Sequence, residues 1–324
     1  MSSPSLVPFD CEQMATFATS QELQLSLAVN LGVSAVATPI LARSIGFIAT
    51  RDVFHINTRL QILVHLFALL LHTVGRLVLH SMDLINYLRS WESACDIIPN
   101  FYRCLLLRFF YNSGLALSSM CSVALVLERI AAYAYSDTYE HCNLFLAACY
   151  LFSLYFHAAF QPGASTLYYC QTLASSTGSV WFVIGPLYAV MAAQIVSRIA
   201  FHVLMSKSKH LRSVGTLSLS NRFNLDQSIR SIRALKLLVN CMSGVFVILS
   251  IVSTTLHFNA GRLTKPHYMA LVEAVHILPL YGIAVSIGVY SKLQSLDNSK
   301  SRMLEEAIHA KTDHYFAQFR KQIQ

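Results

Sequence analysis

The sequence predicts an all-α membrane protein, a bundle of seven transmembrane helices. Of its 324 residues, 55% are apolar and only 12% are charged, and the mean hydropathy is +0.50. Soluble domains usually contain about 25% charged residues, so a lipid bilayer is the expected surroundings for most of this chain. With only 12 Gly and 8 Pro, the chain has no low-complexity linker, which indicates one domain with short connections.

Seven apolar windows are long enough to cross a membrane. A helix needs about 20 mostly apolar residues to span the hydrocarbon core. The windows are continuously apolar rather than alternating, which favours helices over the strands of a membrane barrel. They cover residues 23–41, 60–80, 104–127, 144–160, 180–205, 237–256 and 268–290.

The distribution of basic residues predicts an N-terminus outside the cell and a C-terminus in the cytosol. Most of the 24 Lys and Arg then fall in cytosolic segments, above all in the connection at 206–235. The end of that connection, 227–236, has helical periodicity and could extend the sixth span. The expected parts are an exterior N-terminus at 1–22, the bundle at 23–290 and a cytosolic tail at 291–324. Because the net charge of +8 is spread between apolar runs, nucleic acid is not an expected partner.

A charged pair, Glu128 and Arg129, closes the third predicted span, and Cys104 lies about one membrane length before it. This combination resembles rhodopsin-like receptors, in which the Arg turns to meet a G protein when the bundle opens. The resemblance implies rhodopsin-like architecture and gives Glu128 and Arg129 a role in coupling and activation. Alternatively, the pair only anchors a helix end at the membrane interface.

Four cysteines are predicted to lie on the oxidising exterior side, where three pairings are possible. We expect Cys104 to pair with Cys170, which would join the third helix to the second exterior loop, and Cys11 to pair with Cys95. The alternative is that one or more of them remain free thiols.

Polar residues recur at helical spacing in the second span and should share one stripe. A charge at membrane depth is costly unless it is paired or faces water, so this stripe should face the bundle interior. Arg76 lies at the same expected depth as Glu273 of the seventh span, and the two could form an ion pair. The stripe comprises His65, His72, Arg76, His80 and Asp83.

Polar residues near the outer ends of three spans could line a ligand cavity. Arg108 and Asn112 form a second polar stripe in the third span, and His276 follows Glu273 on the same helix face. The alternative is that these groups only fix the register of neighbouring helices. The candidate ligand residues are Arg76, His80, Arg108, Asn112, Glu273 and His276.

No catalytic residue, metal site or cofactor is expected. The sequence has no metal-ligand cluster of recognised spacing, no phosphate-binding Gly loop and no Ser nucleophile elbow. The seventh span contains no Lys to which retinal could attach, which argues against an opsin.

Two stretches carry a closer resemblance: LQILVHLFALLLHTVGRLVLHSMDLINYL at 60–88 and CDIIPNFYRCLLLRFFYNSGLALSSMCSVALVLERIAAY at 95–133, together with HINTR at 55–59. They resemble nematode chemoreceptors of serpentine receptor class alpha-beta. This resemblance implies a G-protein-coupled receptor for a small environmental or pheromone-like ligand. It also implies a heterotrimeric G protein as partner and a place in the plasma membrane of sensory neurons, on their cilia.

Other functions compete with a receptor. The polar stripe could line the path of a membrane transporter or ligand-gated channel, although repeated halves typical of many transporters are not visible. A protein that only escorts other receptors is a third possibility. The chain also departs from rhodopsin-like patterns, because Ile130 follows the Glu-Arg pair and the seventh span has no Asn-Pro-x-x-Tyr run.

Overall fold

The computed structural model describes residues 8–51, 56–97, 101–134, 181–213, 219–276, 278–292 and 294–295. Within these ranges the chain is helical and contains no β-strand. The helices in chain order are α1 (Pro8–Ala18), α2 (Gln21–Ala49), α3 (Ile56–Leu88), α4 (Phe101–Ala134), α5 (Trp181–Ser213), α6 (Leu219–Phe258), α7 (Lys265–Val275) and α8 (278–292), with short 3-10 turns at Ala94–Ile97 and Ala260–Arg262.

Six helical segments of the described chain are long and apolar enough to cross a membrane. The predicted all-helical membrane bundle is therefore confirmed, and each segment overlaps one of the predicted windows. The predicted fourth span, 144–160, lies outside the described residues, as does most of the tail. The six segments are Gln21–Ala49, Thr58–Leu88, Phe109–Ile130, Tyr188–Arg212, Val239–Phe258 and Lys265–Lys292.

The helices extend beyond their apolar windows. The clearest case is α6, which begins at Leu219, well before its candidate span starts at Val239. The predicted helical extension at 227–236 is present as part of this continuous helix. Its inner face is apolar, since Ile229, Ile232 and Leu235 are all buried.

One large apolar core joins α2, α3, α4, α5, α6 and α8. Leu41, Leu66, Leu125 and Ile232 are buried in it together with Tyr281. The opposite faces of the helices expose apolar side chains, as expected where lipid takes the place of water. Exposed examples on α5 are Ile195, Val196 and Ile199.

Helices α3 and α4 approach each other at backbone distance, and glycine makes this contact possible. A Cβ atom added to Gly114 would lie 2.5 Å from the backbone N of His72 and 2.6 Å from the carbonyl O of Ala68. Small residues let membrane helices approach at backbone distance, where van der Waals contact is greatest. Gly114 therefore sets the spacing between these two helices.

A short helix covers one end of the bundle. Met14 and Phe17 of α1 are buried against Leu23 of α2, Leu84 of α3 and Ile97 of the 3-10 turn. A disulfide between Cys11 and Cys95 joins α1 to this turn, with 4.6 Å between the two Cα atoms. We call α1 with this disulfide the N-terminal cap. The sequence did not predict this helix.

The cap gives the bundle two distinguishable ends. The start of α2, the end of α3 and the start of α7 meet at the cap, which we call the disulfide end. The start of α3 and the end of α4 lie at the opposite end, where Thr58 contacts Arg129. We call this the Arg129 end.

Candidate functional site

The polar stripe of α3 faces the bundle interior, as its spacing predicted. All five of its members are buried, with no more than 4% of any residue exposed. A charged group at this depth needs a partner, because hydrocarbon cannot solvate it. The buried members are His65, His72, Arg76, His80 and Asp83.

The ion pair between Arg76 and Glu273 is present. Arg76 Nη2 lies 3.0 Å from Glu273 Oε2, and the exposed fractions of the two side chains are 0% and 1%. The pair joins α3 to α7 in the half of the bundle nearest the disulfide end. Breaking such a pair from one side would leave an uncompensated buried charge, which costs about 3–5 kcal/mol.

Arg76 also caps a break in the last membrane-spanning segment. The helix α7 ends at Val275, and the next residue, His276, leaves helical geometry with ψ of 70°. Pro279 has no backbone N–H to donate, and the last carbonyls of any helix lack partners within that helix. Arg76 Nη2 donates to the carbonyl O of Glu273 at 3.0 Å, and Nη1 donates to that of His276.

The guanidinium of Arg76 has a further partner in its own helix. Its Nε donates to Nε2 of His80 at 2.9 Å, one helical turn away. On the other side of the cluster, Asn30 of α2 donates its side-chain N–H to the carbonyl O of Glu273 at 2.9 Å. Helices α2 and α3 therefore both hold the C-terminal end of α7.

Aromatic and imidazole rings continue the cluster toward α4. His72 Nδ1 donates to the carbonyl O of Tyr111 at 3.0 Å, and their ring centroids lie 4.4 Å apart. The Tyr111 ring lies 6.2 Å from that of His276. Asn112 and His276 are half-buried, unlike Arg76 and Glu273.

The structure thus brings together Arg76, His80, Glu273 and His276 of the six candidate ligand residues. Asn112 follows Tyr111 on α4 and is half-buried. The side chain of Arg108 lies outside the described residues, although its backbone belongs to α4.

A second buried cluster contains the predicted coupling residues at the opposite end. Glu128 and Arg129 are 1% and 3% exposed. The Nε and Nη2 groups of Arg129 donate to the two carboxylate oxygens of Glu128. Arg129 Nη2 also donates to Oγ1 of Thr58 at 2.7 Å, across to the first turn of α3.

Sequence reasoning missed Thr58 as a site residue. It belongs to the HINTR segment that carried part of the family resemblance, yet a threonine has no pattern that marks it as the partner of a distant arginine. Its burial, with 0% exposed, is visible only once α3 and α4 are packed together.

Polar contacts between the two clusters were also missed. In α3, His65 Nε2 lies 3.1 Å from the hydroxyl of Tyr281 in α8. In α5, Gln194 is fully buried and donates to the carbonyl O of Ser119 at 3.0 Å, which links α5 to α4. A lone Gln or Tyr in an apolar helix gives no sequence signal of its partner.

One of the two expected disulfides lies within the described residues. The disulfide of the N-terminal cap is the expected Cys11–Cys95 pairing. Cys170 and the side chain of Cys104 lie outside the described residues, so the Cys104–Cys170 pairing stays a prediction. Among the described side chains, no three His, Cys, Asp or Glu residues are grouped to hold a metal ion.

Long apolar helices, a buried interior of paired charges and a capped end define a multi-pass membrane protein with a serpentine bundle. The family model described as serpentine type 7TM GPCR receptor class ab chemoreceptor matches residues 8–324. The chain belongs to this family of seven-transmembrane chemoreceptors. A comparison with curated proteins gave no match.

Membership defines the general class of activity. The family is one of chemosensory receptors and not of enzymes. Its members lie in membranes and respond to chemical ligands. The match covers essentially the whole chain, from the N-terminal cap through the tail.

Proposed function

We propose that the chain is a G-protein-coupled chemosensory receptor that detects a small environmental or pheromone-like molecule and signals to heterotrimeric G proteins. The family match supports a receptor of this kind. The observation that supports the coupling role is the Glu128–Arg129 ion pair, which is buried at one end of the bundle. A buried arginine there can change partner when the helices move.

The proposed orientation places the N-terminus outside and the Arg129 end in the cytosol. Two independent features support it. Disulfides persist in oxidising compartments, which suits the Cys11–Cys95 bond to the exterior. Basic residues accumulate at the cytoplasmic side, which suits Lys207, Lys209 and Arg212 at the end of α5.

The proposed ligand site lies toward the disulfide end, around the Arg76–Glu273 cluster. Arg76 already bonds to His80 and to Glu273, so these three residues would form the polar floor of the site. The half-buried His276 and Asn112, together with Arg108, would then be the groups that a ligand meets first. A ligand that alters the floor would act directly on the break between α7 and α8.

Ligand binding would signal by shifting a population between two arrangements of the bundle. A ligand favours one arrangement only by as much as it binds that arrangement more tightly. In the described arrangement Arg129 is buried and paired, so this is the closed form. The family resemblance further places the receptor in the plasma membrane of sensory neurons, on their cilia.

The test is a second-messenger and calcium assay in cells that express the chain at the surface, screened with small-molecule extracts. Arg129→Ala leaves the buried carboxylate of Glu128 without its cation, so its expression is adjusted to the wild-type surface level. At that level the variant should abolish the response. The matched control is Arg43→Ala, because Arg43 is an exposed arginine in the second half of α2. A response that persists in Arg129→Ala and requires no G protein would exclude the coupling role.

The same cells test the alternative of a transporter or ligand-gated channel. Extract-dependent current in cells that lack G-protein signalling would favour conduction along the polar stripe of α3. The interlocked contacts of that stripe argue for a packed interior, since His72, Arg76 and His80 bond to neighbouring groups.

A further inference from the structure

The two halves of the disulfide in the N-terminal cap differ in their access to solvent. Cys11 is 6% exposed, whereas Cys95 is an exposed residue of the 3-10 turn. A thiolate opens a disulfide by attacking the sulfur that it can reach, and the other sulfur then leaves. An attack from solvent is therefore expected at Cys95, with Cys11 as the leaving group.

The turn that carries Cys95 has hydrogen bonds of its own. The backbone N–H of Ser93 donates to Oδ2 of Asp96, and that of Asp96 donates to the carbonyl O of Ser93, both at 3.0 Å. The backbone N–H of Cys95 donates to Oγ of Ser93 at 3.3 Å. These bonds use neither sulfur atom, so we expect the turn to present Cys95 at the surface whether the disulfide is closed or open.

The partner of this turn, α1, depends on its surroundings for stability. It has 11 residues, and a helix of that length is marginal by itself in water. Met14 and Phe17 share a buried apolar cluster with Leu84 of α3 and Ala270 of α7. Once the disulfide opens, these apolar contacts hold α1 without a covalent tie to the turn. Local opening of α1 should then become more frequent.

The two segments that the disulfide joins are acidic. The sequence has no Lys or Arg in residues 1–42 or 90–102. Three exposed carboxylates lie close in sequence to the two cysteines, those of Glu12, Glu92 and Asp96. Surface charge of one sign attracts reactants of the opposite sign and repels those of the same sign, most strongly at low salt. Anionic thiols should therefore react slowly at this disulfide.

We propose that Cys95 is a site of thiol–disulfide exchange for small neutral or cationic thiols, and that this exchange frees the N-terminal cap. The attacking thiolate forms a bond to Sγ of Cys95 while the bond between the two Sγ atoms breaks. The electron pair of the broken bond leaves on Sγ of Cys11, which then takes a proton from water. The exterior origin of the thiol rests on the proposed orientation, whereas the exchange itself does not.

The first test compares three small thiols that differ in charge: cysteamine, mercaptoethanol and mercaptoethanesulfonate. Each reacts with the purified full chain in lipid nanodiscs, and its rate is divided by its rate on a small neutral disulfide. The cationic thiol should exceed the anionic one by about tenfold at low salt. This ratio should fall toward one at about 1 M salt, where the Debye length is about 3 Å. Glu92→Gln/Asp96→Asn should lower the ratio in the same way.

The second test locates the product and its effect on the cap. After alkylation of free thiols, peptide mass spectrometry should find the mixed disulfide on Cys95 and the alkyl group on Cys11. Hydrogen–deuterium exchange should become faster in α1 and stay unchanged at the end of α4. Cys241→Ser is the matched control, because Cys241 is an exposed free thiol and its loss should change neither result.

Several outcomes would overturn the proposal. A mixed disulfide on Cys11 or on neither cysteine would exclude Cys95 as the reactive site. Equal normalised rates for the three thiols would exclude selection by charge, and a mixed disulfide without faster exchange in α1 would exclude release of the cap. None of these measurements involves a G protein, so their failure would leave the coupling role of Arg129 untouched. Conversely, a silent receptor would leave the exchange at Cys95 untouched.

Discussion

At the disulfide end a buried arginine joins two helices, whereas at the other end a buried arginine pairs with its own neighbour. Arg76 and Glu273 are 197 residues apart in sequence, and their pair connects α3 to α7. Glu128 and Arg129 are adjacent in α4, and a hydrogen bond from Arg129 to Thr58 connects that cluster to α3.

Further ties strengthen the same contrast. At the disulfide end, α7 is attached to α2 by three polar contacts: His267 with Glu22, Ser26 with the carbonyl O of Ala270, and Asn30 with that of Glu273. The Cys11–Cys95 disulfide adds a covalent tie to the cap. The disulfide end is therefore held by several ties between different helices, whereas the ion pair at the Arg129 end lies within one helix.

The largest expected effect tests the tied end. Arg76→Ala would leave the carboxylate of Glu273 buried without its cation and remove the cap of α7. We expect the variant to lose about 3–5 kcal/mol of stability and to reach the surface poorly. Thermal unfolding in nanodiscs and surface staining check this, with the exposed Arg43→Ala as control. A fully stable Arg76→Ala would remove the basis for calling this end rigid.

The next effect concerns the covalent tie. Replacing Cys11 and Cys95 together by Ser should lower stability by about 2–4 kcal/mol, because the bond closes a long loop. Hydrogen exchange should rise in α1 and stay unchanged near Arg129. Cys241→Ser is the matched control, since Cys241 is an exposed free thiol. Equal exchange at both ends would show that the disulfide does not act locally.

The smallest of the three effects tests the close contact between α3 and α4 at Gly114, because both of these helices contribute to the clusters at the two ends. Gly114→Ala would place its methyl group against the backbone of His72, at 2.5 Å, so α3 and α4 must separate. We expect a loss of about 1–3 kcal/mol, typical of overpacking. Gly46→Ala is the control, because a Cβ there meets nothing within 4 Å. The same stability assay should show the control unchanged or slightly more stable.

Much of the fold could be predicted because hydrocarbon imposes simple requirements on a sequence. Apolar length located the spans, and the spacing of His65, His72 and Arg76 on one helix predicted a stripe that faces inward. The Arg76–Glu273 pair followed from depth alone, since two opposite charges at one level of a bundle have few other partners.

The rest depends on contacts that no local pattern encodes. The helix α1 has only 11 residues, and its burial arises from α2, α3 and the 3-10 turn. The bond from Arg129 to Thr58 joins residues that are 71 apart in sequence, and threonine is common in helices where it makes no such bond. The capping of α7 by Arg76 requires the helix end at Val275, which is visible only in the folded chain.

The disulfide end should face outward and the Arg129 end should face the cytosol, and the membrane topology of the two termini tests this orientation. Epitope tags at the N- and C-termini would be stained in intact and in permeabilised cells. We expect the N-terminal tag to be stained in intact cells and the C-terminal tag only after permeabilisation. The reverse pattern would place Arg129 outside, beyond the reach of any G protein, and would rule out the proposed coupling role.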